Sequence, residues 1–118
     1  MVWYHLVAYF FGGFFLCNAI PHFVAGSMGR PFQSPFANPH GEGLSSSRVN
    51  VVWGAFNLAV AYVLFAHVGE FDIKNWQHVA PAFAAMLICA LFLAGHMGRF
   101  YDGNDPQKAQ AELFAKRK

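Results

Sequence analysis

The sequence predicts an all-α membrane protein, a small bundle of three transmembrane helices with a structured Pro/Gly/Phe-rich loop between the first and the second. Three observations predict it. The chain of 118 residues is 56% hydrophobic and only 12% charged, too little charge to cover so small a globule in water. The charges are also segregated, with no Asp, Glu, Lys or Arg between Met1 and Arg30, between Arg48 and Glu70, or between Lys74 and Arg99. Each interval holds the roughly 20 apolar residues that carry a helix across about 30 Å of hydrocarbon. None alternates strictly as a barrel strand would, and only helices and closed barrels satisfy their backbone hydrogen bonds in lipid. A single domain is expected, since two separate cores would each be too small to hold together.

The first span is expected over residues 2–24, with Trp3 and Tyr4 at the interfacial level and Phe10, Phe11, Phe14 and Phe15 around Gly12-Gly13. No basic segment precedes it and it is longer than a signal-peptide core, so it reads as a retained helix. Pro21 withholds a backbone donor and frees the carbonyl of Cys17, which predicts a kink or an early helix end.

Residues 27–48 carry Pro31, Pro35, Pro39, Gly29, Gly41 and Gly43 without helical or strand periodicity, and form the loop. The pair Pro31-Phe32 returns as Pro35-Phe36, and such aromatics predict a loop lying at the membrane interface or folded back on the bundle. Ser45, Ser46 and Ser47 are candidate N-caps for the second span, residues 49–68. The third span, residues 77–97, admits Pro81 in its opening turns. The short connection Gly69 to Trp76 predicts an antiparallel pair. Beyond it the tail, residues 102–118, is polar, with a short surface helix expected over Gln107 to Lys118.

Basic residues set the orientation. The loop and tail hold Arg30, Arg48, Arg99, Lys108, Lys116, Arg117 and Lys118 against Lys74 alone on the other side, which places loop and tail in the cytoplasm and the N-terminus outside. In a bacterium this is the plasma, or inner, membrane. The hexapeptides Ala25–Arg30 and Ala94–Arg99 agree at five of six positions and predict two helices that end alike, with Arg30 and Arg99 reaching lipid headgroups.

Four groups of residues are candidates for function. Asn50, Gly54, Asn57 and Ala61 recur at spacings of four, three and four on the second span, a stripe that predicts a helix-packing seam or a polar path. Asn18 and His22 share a face of the first span, and an ionisable residue within a span is a candidate cofactor-binding or proton-handling group. His96 joins them on the inner side with His40, although counting from the arginines puts His22 and His96 roughly 7 Å apart in depth. His5, His67 and His78 lie near the outer ends and form a candidate metal or haem site. Cys17 and Cys89 fall within spans, where thiols act as small hydrophobes.

No phosphate loop, nucleophile elbow or intramembrane carboxylate pair is present, and a three-residue basic end does not make a nucleic-acid surface. Two classes follow. One is a non-catalytic accessory or structural subunit that associates with its own copies or with a larger membrane complex. The other is a small haem-, metal-, quinone- or proton-handling module; an enzyme would need its site beside His22 and His96.

Overall fold

The computed structural model describes residues 2–117, so Met1 and Lys118, the last of the basic tail, lie outside it. The chain is mostly helical. In order it forms α1 (Trp3–Ser27), β1 (Phe32–Gln33), β2 (Leu44–Ser45), α2 (Ser47–Ala66), α3 (Trp76–Tyr101) and α4 (Pro106–Ala115). Helices α1, α2 and α3 are long and apolar enough to cross a membrane.

Local chemistry sets the helix ends. Ser46 caps α2 by accepting from the Val49 N–H at 3.2 Å, Asn75 caps α3 through Gln77, and Asp105 caps α4 through Lys108 with Pro106 in the first turn. At the far end of α1, Gly29 takes φ +76° and the Arg30 N–H returns to the Ala25 carbonyl at 2.9 Å, which closes the helix.

Several expectations change. Helix α1 does not stop at Pro21; the turns beyond it are held against α2, where Gly54 meets Phe23 and Gly26 meets Ser47 and Val51. The two hexapeptides do not end helices alike. Gly98 stays helical because Asn104 folds over it and donates to the Gly95 carbonyl at 2.8 Å, so α3 runs on to Tyr101 and stops at left-handed Asp102. Residues 28–46 are not wholly irregular either, since β1 and β2 pair antiparallel, Phe32 opposite Ser45 and Gln33 opposite Leu44. Strands of two residues are too short to leave an alternating pattern.

The packing order also differs from a simple antiparallel pair of α2 and α3. Helix α1 packs on both, whereas α2 and α3 share no comparable seam. The adjacent glycines of α1 explain this: a Cβ on Gly12 would meet the Phe65 ring of α2, and one on Gly13 would meet the Ala82 backbone of α3. Small residues on two faces let both neighbours approach one helix.

The interior is built from small and polar groups. Ala8, Cys17, Ala19, Ala61, Ala82, Ala85 and Cys89 are buried with Asn50, Asn57 and His22, and Tyr9 is the largest fully buried side chain. Large apolar side chains point outward instead, among them Phe11, Ile20, Val52, Phe83, Leu87, Leu91 and Phe92. Both cysteines are free.

Candidate functional site

The four buried residues of α2 are Asn50, Gly54, Asn57 and Ala61, the stripe that faces α1. Gly54 lets the α1 backbone at Phe23 approach directly. On either side of it the two asparagines bridge the helices. Asn18 donates to the Asn57 Oδ1 at 3.1 Å, and Asn57 donates to its own helix at the Trp53 carbonyl. One turn further along α1, the His22 Nδ1 lies 2.8 Å from the Asn50 Oδ1.

The surroundings of Asn50 fix the direction of that bond. Its amide nitrogen lies 3.1, 3.2 and 3.0 Å from the carbonyl oxygens of Phe32, Ser45 and Ser46, none of which can donate. The amide nitrogen therefore faces the carbonyls, the amide oxygen faces His22, and Nδ1–H of His22 is the donor. His22 is only 4% exposed and forms no ion pair among the described residues. A charge so placed would cost several kcal/mol. The ring is therefore neutral, with its proton on Nδ1 and a bare lone pair on Nε2. The partner of His22 is thus Asn50.

His22 lines a cleft of about 220 Å³ between α1, the loop and α3, together with Asn18, Gln33, Trp53 and His96. The roughly 7 Å depth offset counted along straight helices does not keep His22 and His96 apart, because the loop folds between them. No Asp, Glu, Lys or Arg lines this cleft. His96 differs from His22 in having both ring nitrogens engaged: Nε2–H donates to the Gly41 carbonyl at 2.7 Å, and Nδ1 accepts from Arg99 at 2.9 Å. It pins the loop to α3 and has no nitrogen left for a metal, so the pair does not offer a haem two axial ligands.

Arg99 also reaches Glu42 at 3.7 Å and lies over the Phe100 ring, so its guanidinium is drawn to the protein as well as to solvent. Arg30 is exposed just beyond α1, and His40 is held on the loop by the Pro35 carbonyl. At the opposite end of the bundle, His78 accepts from the Asp72 N–H through Nδ1 and packs on Tyr9 and Phe71, His5 lies against Gly69, and His67 caps α2 beside Tyr62. These three are not gathered around a point. Among the described residues no group of three His, Cys, Asp or Glu side chains is placed to hold a metal ion.

Two cleft residues escape a reading of the sequence. Trp53 packs edge-on to His22 at 6.4 Å, and its buried Nε1–H has no hydrogen-bond partner among the described residues. Gln33 is 4% exposed; its Oε1 accepts from the Tyr101 hydroxyl at 2.8 Å, and its amide nitrogen has no partner among the described residues. The available signals are a tryptophan deep in an apolar run, away from the interfacial belt, and a lone amide between the two Pro-Phe pairs. No known protein family, curated protein or solved structure matches this chain.

Proposed function

We propose that this chain is an integral membrane protein whose three long helices form a transmembrane bundle, and that it serves as a small non-catalytic subunit holding an uncharged ligand in the cleft around His22. The loop and tail face the cytoplasm in this reading, and the basic residues beside them support it. Support for lipid as the solvent comes from the inverted distribution of side chains. Alanine, glycine and asparagine fill the helix seams while phenylalanine and leucine face out, the reverse of a chain that folds in water.

The observation that carries the ligand reading is the His22 imidazole. Asn50 holds it by Nδ1–H, and Nε2 remains an unpaired acceptor in a 4% exposed side chain that lines a cleft. The Nε2 of His22 opens on the cleft, and the buried N–H of the neighbouring Trp53 has no partner among the described residues; such open groups in a cleft wall mark a place where another molecule supplies partners. An amide that holds the far nitrogen of the ring is the arrangement by which proteins present one chosen imidazole nitrogen.

His22→Asn tests this. An asparagine keeps an amide N–H near the place of Nδ1–H and ends short of Nε2. Protein purified from its native membrane in mild detergent is extracted and analysed by mass spectrometry. The unaltered protein is expected to release a stoichiometric uncharged small molecule and the variant to release little of it. Equal content in the two folded proteins, or none in either, contradicts the proposal.

A further inference from the structure

The donors and acceptors of the cleft define the class of molecule it takes. Two acceptors are open, the Nε2 of His22 and the Oδ1 of Asn18, whose amide nitrogen is committed to Asn57. One donor is open, the amide nitrogen of Gln33, and the Nε1–H of Trp53 is buried in the wall without a partner among the described residues. No charged side chain lines the space, so a carboxylate, a phosphate or an ammonium ion would be buried without a counter-charge. A volume of about 220 Å³ lies below the roughly 300 to 1,000 Å³ of sites for drug-sized ligands and suits one small ring.

Beside Ser34 and His96, the rest of the lining is largely apolar, with Phe92, Leu93 and Met97 from α3, Pro35 from the loop and Trp53 from α2. Trp53 also lines an apolar groove of about 730 Å³ with Phe36, Val49, Val52 and Phe56, so an apolar substituent on the ring finds apolar lining within one side chain of the head.

Resting on the ligand-holding reading above, we infer that the cleft binds the head of a lipid-soluble hydroquinone, with one ring hydroxyl donating to the Nε2 of His22 and the other oxygen accepting from the amide nitrogen of Gln33. The hydroquinone form is specified because the site needs a donor for Nε2. The oxidised quinone carries acceptors only and leaves that nitrogen unpaired, which costs roughly tenfold or more in affinity.

The test uses the full chain in lipid nanodiscs with ¹⁵N-labelled indoles, in a background where Trp3 and Trp76 are replaced by Phe. Both are more than 70% exposed, at 72% and 73%, so their loss leaves the core untouched and Trp53 gives the one indole signal. Tetramethylhydroquinone, tetramethylbenzoquinone and tetramethylbenzene, three probes of nearly the same shape, are titrated without oxygen. The hydroquinone is expected to shift the Trp53 Nε1–H resonance saturably, the quinone to bind about tenfold or more weakly, and the hydrocarbon to bind least. His22→Asn is expected to abolish the difference between hydroquinone and quinone. Equal binding of all three, binding of none, or a preference that survives in His22→Asn overturns the inference. If none binds while mass spectrometry still finds a His22-dependent molecule, the ligand class is wrong and the site stands; if that molecule is missing too, both readings fall.

Discussion

Asn50→Leu is expected to destabilise the protein by about 2–4 kcal/mol, far more than a typical hydrogen-bonded residue between membrane helices. Leucine keeps the branched shape with larger methyl groups, and Asn57→Leu at an equally buried position carries the same change in size, so the difference between the two variants isolates the amide. Asn50 is fully buried and joins four elements: its oxygen accepts from His22 on α1, and its nitrogen serves the carbonyls of Phe32 on β1, Ser45 on β2 and Ser46 at the α2 cap. Removal strands a buried imidazole N–H and takes the side-chain donor from the Phe32 and Ser45 carbonyls, while the Ser46 carbonyl keeps the Asn50 backbone N–H. Asn57→Leu provides the comparison. Asn57 makes one bond between helices and one to its own helix, so about 1 kcal/mol is expected. Reversible unfolding in mixed micelles reads both values, and hydrogen exchange is expected to rise at Phe32 to Ser45 in the Asn50 variant alone. Equal losses in the two variants would show that Asn50 is not the joint between loop and bundle.

Gly13→Ala is the second large effect, and here adding atoms does the damage. A Cβ at Gly13 would run into the Ala82 carbonyl oxygen and lie 2.9 Å from its carbonyl carbon, both backbone atoms that cannot rotate aside. Helices α1 and α3 would have to separate, and overpacking of this kind costs roughly 1–3 kcal/mol, with the upper end expected against backbone. Gly95→Ala on α3 is the control, because nothing lies within 4 Å of its added methyl. It is expected to be neutral or to stabilise by up to about 1 kcal/mol, since alanine costs less chain entropy in a helix. Opposite signs in the same unfolding assay support the close crossing of α1 and α3; a harmless Gly13→Ala removes it.

What the sequence reveals depends on range. The buried face of α2 is legible because Asn50, Gly54, Asn57 and Ala61 repeat at the helical period, and one side of a helix is a property of adjacent turns. The three apolar lengths are legible for the same reason. The partners of Asn50 are not, because they are backbone carbonyls of a hairpin whose strands span two residues each and follow no pattern. His22 and His96 share a cleft only because the loop reaches Gly41 across to α3, a long-range closure that counting along straight helices misses. The likeness of Ala25–Arg30 to Ala94–Arg99 misleads because Asn104, outside the hexapeptide, folds over Gly98 and keeps that copy helical. The central place of α1 is written in Gly12-Gly13, though two adjacent glycines alone do not say that they face different neighbours.

The state of one imidazole bears most directly on the whole account. Nitrogen-15 spectroscopy of histidine-labelled protein in nanodiscs at neutral pH distinguishes a ring protonated on Nδ1, on Nε2 or on both, and the His22 signal is assigned by its absence in His22→Asn. The expected result is a neutral ring with its proton on Nδ1, which changes state when Asn50 is replaced by leucine. A proton resident on Nε2, or a doubly protonated ring, would contradict it, for His22 would then offer the cleft no acceptor.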